Sequence, residues 1–290
     1  MDIKMEKRVL AMFAFIMIGG ILSDFAPVMC RALMPIRTAK DSILNQYFVK
    51  IGWLWTLLLT CPFIFMTSAV MSGFMTKQEA MARSRNPSPE RPVTPYDKVM
   101  GVLSHALSRN MCRMIVNSLV WYYSIHGFVS IEKSYGSCTG ATTSSPEVCT
   151  KSGGKWSGFD ISGHTFLLMF STLLMLEEIS VMVGWEPFGH HLNAQNQQYI
   201  KSLKIGSSRQ FLLFDKFALA IRINFILITI MTVIWQFMLI QTVLFYHTMI
   251  QKAVAGIWAT LCWTLLYKFL YRIDILMPFI RPPSRPYMET

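Results

Sequence analysis

Charge is what this sequence has least of. Only 15% of its 290 residues are Asp, Glu, Lys or Arg, while 53% are hydrophobic, a balance too apolar for an ordinary soluble domain of that length. Acidic residues are scarcer than basic ones, 16 against 27, which leaves a net charge of +11. The surplus does not read as nucleic-acid binding, because the basic residues flank apolar runs instead of forming one stripe or alternating with exposed aromatics. The sequence has no His-Glu-x-x-His and no closely spaced cysteine set. It therefore lacks the clustered ligands a metal site needs, and no metal or other cofactor is expected. No repeat recurs at a fixed period. No small-x-small cleavage site follows the first apolar run, which is accordingly expected to be a retained span.

What is abundant is apolar sequence in long stretches. Crossing a hydrocarbon core takes roughly 20 mostly apolar residues in a helix. Six stretches qualify, at about 9–29, 51–75, 114–131, 166–185, 217–246 and 253–270. Gly19-Gly20, Asp24 and Pro27 weaken the first; the third carries Asn117 and His126, the latter expected as a buried packing residue. The expected fold is all-α, a single polytopic membrane domain over 1–290 with about six spans. Lys and Arg collect on cytoplasmic flanks. With the amino terminus inside, nineteen of them fall on the cytoplasmic face and eight on the other. Both termini are then cytoplasmic, as are the loops 76–113 and 186–215, while the loop 132–162 lies on the opposite, lumenal side.

The loops differ in character. The stretch 82–95 is rich in proline and charge and reads as a linker, and 186–215 is expected to include a short interfacial helix. The polar loop 132–162 holds Cys138 and Cys149 on the side where disulfides persist, and the two are predicted to pair. The remaining cysteines, Cys30, Cys61, Cys112 and Cys262, fall in or beside spans as small buried residues.

Two places can carry chemistry. In Gly158-Phe159-Asp160-Ile161-Ser162-Gly163-His164 a polar loop meets the start of the fourth span. Ser162 is a natural N-cap, and the helix start beyond it favours an anion. Gly163 would let a ligand approach the backbone, and His164 would stand beside a phosphate bound there. At the far end of the fifth span comes Tyr246-His247-Thr248, at the depth of His164 by the charge-derived topology. Two imidazoles suffice for phosphoryl transfer, one attacking phosphorus while the other protonates the departing oxygen. Taken singly, either histidine can equally cap a helix or bond to water. His190-His191 face the other side and cannot join them. Glu177 and Glu178 lie roughly 20 Å along the helix from His164; a structural role is expected, with Lys201, Lys204 or Arg222 neutralising them.

At these residues the chain resembles the fat storage-inducing transmembrane family. The resemblance is carried by Asn45-Gln46-Tyr47-Phe48-Val49-Lys50 leading into Trp53 and Trp55, and by Trp121-Tyr122 before Tyr135-Gly136-Ser137-Cys138. Further pieces are the segment from Gly158 to Leu168, Glu177-Glu178 with Ser180, and Tyr246-His247 before Gln251-Lys252. It implies a six-span protein of the endoplasmic reticulum that supports lipid-droplet formation and is related to lipid phosphate phosphatases. The implied activity is acyl-CoA diphosphatase, giving acyl 4′-phosphopantetheine and adenosine 3′,5′-bisphosphate in the lumen. Ser162-Gly163-His164 would match the phosphatases' Ser-Gly-His, making His164 the general acid, and His247 would be the nucleophile. The chain departs from the wider phosphatase pattern. It has no Lys-x6-Arg-Pro and no Arg shortly before His247, and Gln251 stands where an Asp would orient the nucleophile. Ser162, Gly163, Lys252 and Lys155 remain as candidates for holding the phosphates. Two other readings stay open: a non-enzymatic binder of triacylglycerol or diacylglycerol that partitions neutral lipid into droplets, and a phosphatidic or lysophosphatidic acid phosphatase.

Overall fold

The computed structural model describes residues 3–33, 44–84, 95–140, 145–203, 209–273 and 283. Two helices, α1 (Ile3–Phe25) and α2 (Pro27–Leu33), precede a π-helical turn at Leu44–Val49. There follow α3 (Gly52–Ser84), α4 (Pro95–Tyr135), β1 (Ser137–Thr139), α5 (Pro146–Lys151), β2 (Lys155–Ser157), α6 (Gly163–Glu178), α7 (Trp185–Leu203), α8 (Arg209–Phe245) and α9 (Met249–Thr264). Six stretches among the described residues are long and apolar enough to cross a membrane: Glu6–Phe25, Gly52–Met71, Asn110–Tyr135, Gly163–Gln198, Phe211–Phe245 and Met249–Arg272. The chain is an all-α polytopic membrane protein, because a helix satisfies its own backbone hydrogen bonds in lipid.

Helix ends differ from the hydropathy limits. α4 begins at Pro95 and α3 runs on to Ser84, since hydropathy marks where a helix meets lipid and not where its hydrogen bonds stop. Residues 85–94 of the proline-rich stretch lie outside the described residues. The described residues fall into two compact units. One draws on Met1–Trp55, Asn117–Leu174 and Thr232–Leu266, the other on Thr56–Val116, Met175–Met231 and Tyr267–Thr290.

The first unit is built on α6. A helix that is apolar on every side has no stripe to turn outward and must sit among other helices; accordingly Phe166, Leu168, Met169, Phe170, Leu173 and Leu174 are fully buried. Lipid tails are as apolar as these side chains, so close packing holds the helices together. Trp53 stacks on Trp121 at 5.3 Å and on Phe170 at 6.0 Å, while Phe166 stacks on Phe170 at 5.5 Å. α1 packs along α9. A methyl on Gly20 would lie 3.1 Å from Met249 Cγ, and one on Gly256 3.1 Å from Ile16 Cδ1. Of the glycine pair that weakens the first span by composition, Gly20 therefore lets it approach the last span, while Gly19, where a methyl would lie 2.6 Å from Val243 Cγ1, lets it approach the fifth. Outward faces carry Ile18 and Phe25 on α1 and Ile250, Ile257 and Leu261 on α9.

Between α4 and α6 the chain forms a small covalently closed knot of structure. β1 and β2 pair antiparallel with Cys138 opposite Trp156, and a disulfide joins Cys138 to Cys149 on α5, whose Cα atoms are 5.8 Å apart. His126, expected to be buried, is instead exposed on α4. It shares its face with exposed Tyr122 and Val129, and its ring lies 3.9 Å from that of Tyr122, as amphipathic rings do near a membrane surface.

The second unit holds an intramembrane ion pair. Arg113 donates from Nε to Glu178 Oε1 at 3.0 Å and from a terminal nitrogen to Oε2 at 2.7 Å. Tyr267 donates to Oε1 at 2.9 Å. The other guanidinium arm reaches Asn110 Oδ1 at 2.7 Å, and Asn110 in turn donates to Ser68 at 2.7 Å. The expected partners of the Glu177-Glu178 pair are thus corrected for Glu178. Arg222 instead binds Glu186 at 2.8 Å, and Lys204 lies outside the described residues. Continuation of α4 toward Pro95 keeps Arg113 inside a helix rather than on a loop flank. In the same unit α7 turns Trp185, Phe188, Leu192 and Asn196 inward and leaves His190 and His191 exposed.

Candidate active site

The first unit brings the two histidines together through a segment of five residues, Asp160 to His164, and the turn between α8 and α9. Ser162 caps α6: its Oγ accepts the Thr165 N–H at 3.3 Å and lies 2.8 Å from Thr165 Oγ1, and its carbonyl accepts the Phe166 N–H at 3.1 Å. The residue is fully buried, so its hydroxyl serves the helix. The Ser162 N–H donates across to the Gln251 carbonyl at 3.4 Å, tying the start of α6 to the start of α9. Gly163 follows in the first turn. A methyl there would meet only Ile125 Cδ1 at 3.6 Å, which is ordinary contact, so packing alone does not demand glycine. The first-turn N–H groups of α6 precede any intrahelical acceptor and are suited to an anion.

His164 stands in that first turn, its Nε2 3.2 Å from Asn45 Oδ1 on the π-helical turn. The charges at His247, Asp160 and Lys50 all act on it, which puts these groups around one site. Lys50 follows directly on Asn45's turn, its N–H bonded to the Asn45 carbonyl at 3.0 Å and its ammonium donating to Gln46 Oε1 at 2.7 Å.

His247 lies just past α8 and just before Thr248, the N-cap of α9. Its φ is 57°, the one positive value at a non-glycine among the described residues. Its Nδ1 is 3.5 Å from Asp160 Oδ2. Gln251, four residues on, has its Oε1 engaged, accepting the Thr248 N–H at 3.0 Å and closing the α9 cap.

The two lysines named as phosphate candidates have different surroundings. Lys252 is fully buried; it donates to Ser23 Oγ at 2.6 Å and to the Val243 carbonyl at 2.8 Å, and so binds α1 to the α8–α9 hairpin. Lys155 sits exposed on β2, opposite Thr139. Sequence reasoning assigned no role to Asp160, Asn45 or Lys50. The runs that carried the family resemblance included all three, but nothing in their spacing says that they face a histidine. Among the described residues no three His, Cys, Asp or Glu side chains cluster as metal ligands do.

Helices that satisfy the membrane, and a pair of imidazoles where two of them begin and end, define a class of polytopic membrane protein with a polar site at one end of its spans. The chain belongs to the family of fat storage-inducing transmembrane proteins, whose family model matches residues 34–130 and 124–267. It is similar to the acyl-coenzyme A diphosphatase FITM2 of Drosophila melanogaster, at 31% identity over 82% of this chain and 53% of that protein. The match therefore spans about half of the fly protein's length. Proteins of the same name in Xenopus laevis and Homo sapiens are each 27% identical, covering 86% and 90% of this chain and 78% and 81% of theirs. No solved structure matches the chain.

Proposed function

We propose that this protein hydrolyses the phosphoanhydride bond of fatty acyl-CoA. The observation that carries the reading is the convergence of His164 and His247 on one site, each with a polar partner, beside the free N–H groups that begin α6. The names borne by the relatives from fly, frog and human support the substrate class.

The chemistry runs in two steps. An imidazole nitrogen of His247 attacks one phosphorus of the pyrophosphate. An N–P bond forms, the bridging P–O bond breaks, and the departing oxygen takes a proton from His164. His164, now neutral, accepts a proton from water; the hydroxide displaces the imidazole, and the N–P electron pair returns to His247. The products are acyl 4′-phosphopantetheine and adenosine 3′,5′-bisphosphate. The first-turn N–H groups at Gly163 and His164 stabilise the phosphate oxygens as charge grows on them. Lys50 is the cation best set to assist, being exposed and acting electrostatically on His164. The acyl tail remains in lipid among the outward apolar faces of the spans.

The family resemblance suggests the endoplasmic reticulum membrane, the charge asymmetry supports an orientation with His164 and His247 on the lumenal side, and the same apolar faces suit contact with membrane lipid, including neutral glycerolipid bound for droplets. The test is purified protein with oleoyl-CoA, products read by mass spectrometry. Release of adenosine bisphosphate is expected, falling at least about 10³-fold in His164→Ala and in His247→Ala. Unchanged turnover in either variant would overturn the mechanism. Inorganic phosphate released from phosphatidic acid in place of adenosine bisphosphate from acyl-CoA would instead select a monoester phosphatase.

A further inference from the structure

We infer that Asp160 is the positioning residue of His247, holding its Nδ1 so that Nε2 is the atom that attacks phosphorus. The inference rests on the phosphoanhydride hydrolase reading and refines it.

A nucleophilic imidazole needs one nitrogen tethered and the other bare, because a ring free to rotate about its side-chain torsions presents the wrong atom or none. His247 receives its tether from an unusual direction. The acceptor oxygen of the residue one turn along, Gln251, is engaged by the Thr248 N–H. The carboxylate comes across from the loop before α6, where Asp160 Oδ2 stands 3.5 Å from Nδ1. Three observations say this approach is built and not incidental. The loop is fixed to the hairpin two residues further on, by the Ser162 N–H to the Gln251 carbonyl at 3.4 Å. The backbone of His247 takes the left-handed conformation that turns its side chain toward that loop instead of continuing α8. The Asp160 carboxylate, 55% exposed, also acts electrostatically on His164, so it lies where the two rings meet. A distance of 3.5 Å is loose for a hydrogen bond, as such contacts often are before substrate binds, and it shortens as the ring gains positive charge on attack. His164 and Lys50 are the other charged or titratable groups acting at the same site. Since His164 lies four residues after Asp160, one short segment supplies both the tether for the nucleophile and the acid for the leaving group.

The experiment compares the full-length parent with Asp160→Asn, Asp160→Ala, Asp160→Glu and His247→Ala in detergent with oleoyl-CoA. Asp160→Asn and Asp160→Ala are expected to lower kcat by roughly 10²-fold with KM within about twofold, and Asp160→Glu to restore most of the loss. Rapid base quench, peptide mapping and phosphorus NMR of the adduct at residue 247 should give Nε2 linkage in the parent and a mixture of Nε2 and Nδ1 linkage in Asp160→Ala. A merely structural role would lower kcat without changing the linkage and would not be rescued by Glu. Parent-like turnover in Asp160→Ala, or an Nδ1-linked adduct in the parent, overturns the inference while leaving the hydrolase reading intact. Parent-like turnover in His247→Ala overturns the hydrolase reading itself.

Discussion

Among the described residues His247 is alone in combining a side chain with a left-handed backbone. An L-residue there carries about 1–2 kcal/mol of strain that glycine escapes, and strain of this kind collects where a side chain is needed for something other than stability. His247→Gly should therefore raise the apparent Tm in detergent by a few degrees while abolishing turnover; a fall in Tm would show that the backbone is not the costly element. His164 and His247 were legible in the sequence because histidine is chemically conspicuous and because the positive-inside rule placed both at one face. Their partners were not. Asn45 is 119 positions from His164, and neither it nor Asp160 belongs to a spacing pattern that points across the fold. Contacts between distant loops follow from how helices pack, and packing is not written in hydropathy.

The turn that bears His247 is held from behind by α1. Asp24 Oδ2 accepts the Met249 N–H at 2.8 Å at the start of α9, and Lys252 binds Ser23. Asp24 and Gly20, which make the first span look doubtful by composition, are groups that join it to the last. Asp24→Ala should cost about 1 kcal/mol as a lost helix cap and lower kcat more than it changes KM, checked by thermal unfolding and by turnover on the same preparation. In the second unit the Arg113–Glu178 pair calls for a different comparison. Removing one partner strands a buried charge, so Glu178→Ala should destabilise by roughly 3–5 kcal/mol, whereas the double change Arg113→Met with Glu178→Leu should cost much less. Arg113 is the last residue of the loop expected at 76–113, at the edge of an apolar window, and the length of α4 places it inside a helix.

The architecture of the whole chain was the most legible part, for a physical reason: in lipid a chain has few alternatives to helices of a set length, and those lengths can be counted. The three-residue strands β1 and β2 were not foreseen, being too short to carry a period. The disulfide between Cys138 and Cys149 closes a loop of 11 positions, for which chain entropy assigns about 3 kcal/mol. The double change to serine should lower the apparent Tm accordingly. The proposed lumenal placement is tested by inserting an N-glycan acceptor site near Gly153; glycosylation in microsomes is the expected result, and a glycan added instead to an acceptor in 85–94 would invert the topology.

His164 sits at the start of the fourth span and His247 in a turn of three residues between the last two, Tyr246 to Thr248 leaving no slack for those helices to enter the bilayer separately. During synthesis the segment from Asp160 to His164 is made first and waits, inert, through α7 and α8. Only when α8 and α9 insert as a pair does the second imidazole arrive. On the proposed mechanism a nascent chain would have both imidazoles only once this hairpin is in place, so that turnover would report the insertion of α8 and α9.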